Sequence, residues 1–261
     1  MKTSATKGSL SLIEVVRSAS QAILEVYTSD FRVKVKGDTS PLTLADTRSH
    51  EILTAYLRDQ YPFPVLSEEG KDIPYEERKT WKTFWLLDPL DGTKEFVNKN
   101  GEFTINIALI HEGRPVIGII YVPVTGVLYY AAKRQGAYKI EGRKTERLFR
   151  KKNLPELTVV GSRSHVTQEF DEYVQALVKK HGELKFITAG SSLKFCLVAE
   201  GRAAIYPRFG PTMEWDTAAG QVIVEEAGGR VLEAVSGKPL QYNKDNLLNP
   251  NFIAYRGDGH A

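Results

Sequence analysis

The 261-residue chain holds a single cysteine, Cys196, which excludes an intramolecular disulfide and a cysteine-rich zinc site. That thiol lies in an apolar stretch, 193–199, and reads as a buried structural side chain in a protein of a reducing compartment. Charge of one sign is also in short supply. A net charge of +3, from 35 basic and 32 acidic residues, gives no overall field for a nucleic-acid polymer, so any basic patch has to be local. Residues 1–8 are polar and lack an apolar core, so no signal peptide is expected. Long hydrophobic runs are absent save one, the uncharged stretch 115–132. It contains Pro115, Gly118, Pro123 and Gly126 and reads as a buried hairpin turning at 122–127, not as a membrane span. No internal repeat or low-complexity segment is visible. What is present, 42% hydrophobic and 26% charged residues, is the composition of a soluble globular protein with one large domain or two compact halves.

Periodicity divides the chain into those halves. Helical stripes occupy 10–27 (Leu12, Val15, Val16, Ala19, Ile23, Val26) and 43–61 (Ile52, Leu53, Tyr56, Leu57). Strands are expected at 31–36, 64–67, 83–87, 103–110, 116–122, 127–132 and 136–140, with a polar turn at 37–40 and a charged, mobile surface loop at 71–80. Residues 1–150 thus form an α+β half with two helices and an antiparallel sheet. A basic run at 141–153 (Arg143, Lys144, Arg147, Arg150, Lys151, Lys152) is opposed inside only by Glu146. It reads as a solvated connector, with attraction of an anionic ligand as the other possibility. Residues 151–261 alternate strand and helix: strands at 157–161, 186–188, 203–207 and 231–232, helices at 170–181, 191–200 and 217–227, and a last strand at 252–255. This order predicts an α/β half built on a mostly parallel sheet.

The stretch 85–96, Trp-Leu-Leu-Asp-Pro-Leu-Asp-Gly-Thr-Lys-Glu-Phe, runs from an apolar strand into two aspartates three apart. Pro89 keeps Asp88 out of the α region and so places it at a strand end. Gly92 lets the backbone approach a ligand, and the N–H groups after it can face an anion at the start of a helix. Carboxylates beside such amides suit a cation bridged to a phosphate. An acidic strand-to-helix turn explains the same stretch equally well. Two more acidic groups fall at predicted junctions, Glu68-Glu69 and Asp216, while Asp46 falls near the start of the second helix. Singly, Glu68 is a solvated loop acid, Asp46 a cap or surface acid, and Asp216 a cap for a helix starting at Thr217. Together Glu68-Glu69, Asp88 with Asp91, and Asp216 form a set of hard oxygen donors of the kind Mg²⁺ takes.

Glu68-Glu69, Asp88-Pro89-Leu90-Asp91-Gly92-Thr93 and Trp215-Asp216-Thr217-Ala218-Ala219-Gly220, with Pro41-Leu42-Thr43-Leu44-Ala45-Asp46, resemble the inositol monophosphatase superfamily of lithium-sensitive, Mg²⁺-dependent phosphatases. Thr93-Lys94-Glu95-Phe96, Gly161-Ser162-Arg163-Ser164-His165 and Gly210-Pro211-Thr212-Met213-Glu214-Trp215-Asp216 are most similar to its 3′(2′),5′-bisphosphate nucleotidases of CysQ type. The resemblance implies a layered αβαβα sandwich with the site between the halves. It implies that Glu68, Asp88 and the Leu90 carbonyl hold one Mg²⁺, that Asp88, Asp91 and Asp216 hold a second, and that a third, weaker ion sits near Glu68 with help from Glu69. Asp46 and Thr93 become the dyad that orients and deprotonates the attacking water, and the Gly92 and Thr93 amides bind the scissile phosphate. Glu68, Leu90, Asp91 and Asp216 also face the substrate. Ser162 and His165 meet the nucleotide, Gly190 and Lys194 the second phosphate or sugar, and Glu214 a sugar hydroxyl. Arg163 and Arg208 are further basic candidates without an assigned role.

The activity so implied is hydrolysis of the 3′-phosphate of adenosine 3′,5′-bisphosphate to AMP, with 3′-phosphoadenylyl sulfate as a second substrate and water attacking in line. The alternatives are an inositol monophosphatase or a fructose-1,6-bisphosphatase-like sugar phosphatase on the same metal core, or a non-catalytic nucleotide sensor. The expected partner is a small phosphorylated nucleotide, bound by a cytoplasmic monomer or homodimer without a transmembrane segment; peripheral attachment to the inner membrane is left open.

Overall fold

The computed structural model describes residues 4–29, 41–70, 72–149, 157–162 and 167–257. The expected strand at 31–36, the turn at 37–40, the end of the basic run at 150–153, Arg163 and His165 lie outside the described residues.

Two helices come first, α1 (Ser4–Thr28) and α2 (Pro41–Gln60). Strands β1 (Val65–Ser67), β2 (Thr83–Asp91), β3 (Thr104–His111), β4 (Arg114–Val122), β5 (Val127–Ala132), β6 (Gly136–Glu141) and β7 (Lys144–Leu148) form a seven-stranded sheet in chain order. Two short helices, α3 (Tyr75–Arg78) and α4 (Thr93–Val97), flank β2. The second sheet has five strands, β8 (Thr158–Gly161), β9 (Lys185–Thr188), β10 (Ile205–Arg208), β11 (Arg230–Glu233) and β12 (Phe252–Tyr255), in the order β11-β12-β10-β8-β9. Helices α5 (Gln168–His181), α6 (Leu193–Ala199) and α7 (Glu214–Glu226) complete the fold.

Strand periodicity sorts these elements into layers. On β2, Trp85 and Leu87 face α1 and α2, whereas Phe84 and Leu86 face the opposite way, toward Ala219, Val222 and Ile223 of α7. The same alternation divides Ile105 and Ile107 from Ala108 and Ile110 on β3. Both faces of these strands are buried, which is why their sequences read as continuous apolar runs. In the second sheet Tyr206, Phe252 and Ala254 join the α7 layer, while Val159, Ile205 and Ile253 pack with Leu177 of α5 on the far side. The order is therefore helix pair, sheet, helix pair, sheet, helix: the expected αβαβα sandwich. Each fully buried Leu, Ile or Phe in it stabilises by roughly 1.5–3 kcal/mol. The central helix sits close to both neighbours. A Cβ on Gly118 of β4 would lie 2.4 Å from Val222, and one on Gly220 would lie 2.4 Å from Phe195 of α6.

Several expectations are corrected. The first sheet is antiparallel except for β1, which pairs with β2 in parallel. The second is mixed: β8 pairs in parallel with β9 and β10, but β12 runs antiparallel to both β10 and β11. Its last strand returns directly to the sheet without a crossover helix, which strand–helix alternation could not reveal. The supposed mobile loop at 71–80 holds α3 and the buried Arg78, which donates to the carbonyls of Ile73, Lys244 and Asp245 and to Asn243 Oδ1. The basic run is no simple connector, because its first part is β7, hairpinned onto β6 with side chains exposed up to Leu148. The uncharged stretch is the β4–β5 hairpin, as expected, and no helix among the described residues is long and apolar enough to cross a membrane.

Candidate active site

The end of β2 is shaped by Pro89. A proline has no N–H for the ladder, and the pairing with β3 breaks in a bulge between Asp88 and Asp91. The strand does not end at Asp88 as expected; it resumes at Asp91 opposite Thr104. Inside the bulge, Leu90 N–H donates to Asp88 Oδ1 at 3.0 Å, and Ser49 Oγ of α2 donates to the Pro89 carbonyl at 2.8 Å. Gly92 then turns the chain into α4 with φ +99°, and a Cβ there would lie 3.2 Å from both Phe103 Cα and Ser191 Cβ. Only glycine suits that turn. Phe96, one turn later, is fully buried against Tyr27 of α1 and Phe103, with ring centroids 5.3 Å from each, and this anchors α4.

Asp91 is held from both halves of the molecule. Its Oδ2 accepts from Ser192 N–H at 2.6 Å, Ser192 Oγ at 2.8 Å and Asn106 Nδ2 at 3.2 Å, with Thr104 Oγ1 at 3.4 Å. Ser192 Oγ also lies 3.0 Å from the Asp216 carbonyl, tying the first turn of α7 to the end of β2. Helix α7 starts at Glu214, earlier than expected, so Asp216 sits within its first turn, where a carboxylate is favoured, and its Oδ2 accepts the Met213 N–H at 2.8 Å. Asp216 is therefore not the N-cap of a helix starting at Thr217; it is the third residue of α7 and bonds back to the N–H of the N-cap Met213 with one of its two carboxylate oxygens.

The acidic residues form one electrostatic group. Asp88 is buried, and burial followed by the charges of Asp91, Glu68, Asp216 and Asp46 pushes its carboxyl well above the usual range. Burial and Asp91 push Asp216 up to about 8, against the opposing Met213 amide and Arg208. Asp46 rises to about 8 through burial and the neighbouring Glu69 and Glu68. Its Oδ1 is buried without a hydrogen-bond partner among the described residues. Buried, mutually repelling acids fit a hard cation, which relieves the repulsion, and the orphaned Asp46 oxygen leaves an acceptor for a hydroxyl or water donor beside it. Among the described residues the acids do not already converge, three at a time, at ligand distance.

Beside this group lies a cavity of about 250 Å³. Of the sequence-derived candidates, Asp91, Gly92, Thr93, Ser162, Lys194 and Asp216 line it. Asp46, Glu68, Asp88, Leu90 and Gly190 do not line it. Asp88 and Leu90 are buried in the bulge, and Glu68 opens a short 3₁₀ turn at 68–70 after β1. Gly190 N–H donates to Glu102 Oε2 at 2.8 Å, and a Cβ at this position would strike Glu95 Cγ at 2.4 Å. Its place in the site is therefore a close packing contact. Lys194 is buried, with Nζ 3.3 Å from the Ala189 carbonyl and 5.5 Å from the Tyr206 ring centre. Burial lowers its pKa to about 8, opposed by Asp91 and aided by Arg208.

Glu214 does not reach a sugar. It is fully buried, accepting from the N–H groups of Asn243 (2.6 Å) and Lys244 (3.0 Å) and from Lys244 Nζ (2.6 Å). It braces the 243–244 segment against α7. Residues not picked out from the sequence are Ser191, Ser192, Thr104, Asn106 and Tyr206. Thr104 and Asn106 left a signal, being polar residues two apart in an otherwise apolar strand, opposite Asp91 and Asp88. Arg208, left without a role, lines the cavity with Nε buried and without a hydrogen-bond partner among the described residues.

The comparisons with known proteins agree with this geometry. The sequence profile described as "Inositol monophosphatase family" matches residues 8–259. The chain is 48% identical over 244 residues to the 3′(2′),5′-bisphosphate nucleotidase CysQ of Escherichia coli K12, covering 92% of this chain and 96% of that protein. It is similar to the crystal structure of CysQ from Bacteroides thetaiotaomicron, with a TM-score of 0.90 and 46% identity over 96% of this chain and 97% of the other. An inositol monophosphatase from Zymomonas mobilis shares the fold, with a TM-score of 0.78 at 23% identity, covering 98% of this chain and 95% of the other. The chain belongs to the inositol monophosphatase family.

Proposed function

We propose that this protein is a Mg²⁺-dependent 3′(2′),5′-bisphosphate nucleotidase that removes the 3′-phosphate of adenosine 3′,5′-bisphosphate. The observation that carries this reading is the pairing of charges in one cavity: Asp91 and Asp216 beside Lys194 and Arg208. The carboxylates suit a cation-bridged phosphate, and the two basic side chains suit a second phosphate on the same molecule. The 48% identity to the Escherichia coli nucleotidase supports the same substrate.

Glu68, Asp88, Asp91, Asp216 and the Leu90 carbonyl would hold the ions, two or three in number. When bound, Mg²⁺ supplies charge neutralisation at the phosphate and makes water a better nucleophile near neutral pH. Asp46 accepts the proton of the attacking water, with Thr93 as the hydroxyl that orients it. The Gly92 and Thr93 amides at the start of α4 receive the phosphate oxygens. Ser162, on the cavity wall, contacts the nucleotide; His165 is assigned to the nucleotide by its motif alone and lies outside the described residues. Residues 1–150 supply most ligands for the ions, and residues 151–261 supply Asp216 and the basic wall. The protein acts in the cytoplasm as a monomer or homodimer.

The experiment that tests this reading is Mg²⁺-dependent phosphate release from adenosine 3′,5′-bisphosphate, with inositol 1-phosphate as comparison. Preference for the inositol phosphate would overturn it.

A further inference from the structure

Glu95 has no part in the chemistry described so far, yet its side chain lines the cavity with Asp91, Lys194 and Asp216. It is the third residue of α4, and it curls back toward the start of that helix. Glu95 Oε2 lies 3.3 Å from where a Cβ on Gly92 would sit, while its Cγ and Cδ lie 2.4 and 2.9 Å from where a Cβ on Gly190 would sit. The side chain is thus wedged between two glycines, one from each half, and a larger residue at either would displace it. Among the described residues its carboxylate makes neither a hydrogen bond nor an ion pair. Such a group is an acceptor only. In a cavity built for a polyanion it repels the ligand unless the ligand offers it a hydrogen-bond donor. Its place beside Gly92, the residue after Asp91, puts it next to the scissile phosphate. On a nucleotide 3′-phosphate the donor nearest that group is the hydroxyl on the adjoining ring carbon.

We infer that Glu95 is a specificity-determining residue: its carboxylate accepts a hydrogen bond from the hydroxyl next to the scissile phosphate, and so selects a ribonucleotide over its 2′-deoxy counterpart. The inference rests on the bisphosphate nucleotidase reading. It also gives a role to the one cavity-lining carboxylate, among the described residues, outside the proposed ion ligands, facing the same space as Lys194 and Arg208. A purely structural prop between Gly92 and Gly190 would need the shape of Glu95 but not its charge.

The test compares kcat/KM for adenosine 3′,5′-bisphosphate and 2′-deoxyadenosine 3′,5′-bisphosphate, in the wild-type protein and in Glu95→Gln, which keeps the shape. The wild type should prefer the ribonucleotide by about tenfold or more, as expected for a hydrogen bond to a charged group. In Glu95→Gln the preference should shrink to within about threefold, chiefly through loss on the ribonucleotide. Glu95→Asp, which withdraws the carboxylate, should reduce it likewise and serves if the glutamine variant does not fold. Equal wild-type rates on the two bisphosphates, or an undiminished preference in the variants, would overturn the inference alone. No release from either bisphosphate by the wild type would overturn the nucleotidase reading and this inference with it.

Discussion

Ser192 grips Asp91 from across the molecule, its N–H and Oγ lying 2.6 and 2.8 Å from one carboxylate oxygen. The serine precedes α6 in the second half, and the aspartate ends β2 in the first. Ser192→Ala removes the hydroxyl but leaves the amide, so the fold should persist while Asp91 loses its orientation. We expect phosphate release to fall about 10- to 100-fold and to need more Mg²⁺, as for other residues that orient a metal ligand. A Mg²⁺ titration of the initial rate reads this directly; an unchanged midpoint would contradict it.

Thr93 is exposed at the cavity edge, directly after the left-handed Gly92. Thr93→Ala should lower kcat by about 10²-fold or more, the scale of a lost proton-handling group, with little change in the Mg²⁺ midpoint. Parallel loss of rate and of metal affinity would move Thr93 from water orientation to ion binding.

Lys194 provides the pH test. Its pKa is lowered to about 8, first by burial, so it is charged below that pH and neutral above it. KM for the bisphosphate should therefore rise as pH increases through about 8, and Lys194→Met should have a higher KM without that rise. The sign for stability is opposite. The unfolded chain, with an ordinary lysine value of 10.5, binds more protons than the folded one between about 8 and 10.5. Stability from this group is then gained across that window as pH rises. Measuring KM from pH 6.5 to 9.5 in both proteins checks the first claim.

Glu214 and Lys244 test the scaffold. Glu214 is fully buried and accepts three hydrogen bonds from the 243–244 segment, while the Lys244 side chain keeps 28% of its exposure. Glu214→Ala leaves two backbone N–H groups unpaired in the interior, whereas the lysine turns to water. A loss of about 2–4 kcal/mol in urea unfolding is expected. A change below about 0.5 kcal/mol, the usual size for a surface substitution, would show that the segment is held by Arg78 and Asn249 instead.

Much of this was legible in the sequence because it is local. The apolar runs of β2 to β5 gave the first sheet, and the acidic stretch around Pro89 gave the heart of the site. Three things were not legible. The second sheet's mixed order depends on how β12 returns to β10, and no periodicity encodes a pairing partner. Glu214 reads like its acidic neighbour Asp216, and only the fold shows that one faces Lys244 and the other the cavity. Ser192 holds Asp91 from 101 residues away, so its role exists only once the halves are packed. Asp46 shows the reverse case, where family motifs singled out an acid that helix position alone would have left as a cap.

The most direct test of the central claim is phosphate release from adenosine 3′,5′-bisphosphate, inositol 1-phosphate and fructose 1,6-bisphosphate, each with and without Mg²⁺, in the wild type and in Asp91→Asn. The predicted result is Mg²⁺-dependent release, fastest by far from the bisphosphate nucleotide, and nearly abolished in a folded Asp91→Asn. Faster release from either sugar phosphate, or wild-type rates in Asp91→Asn, would contradict it.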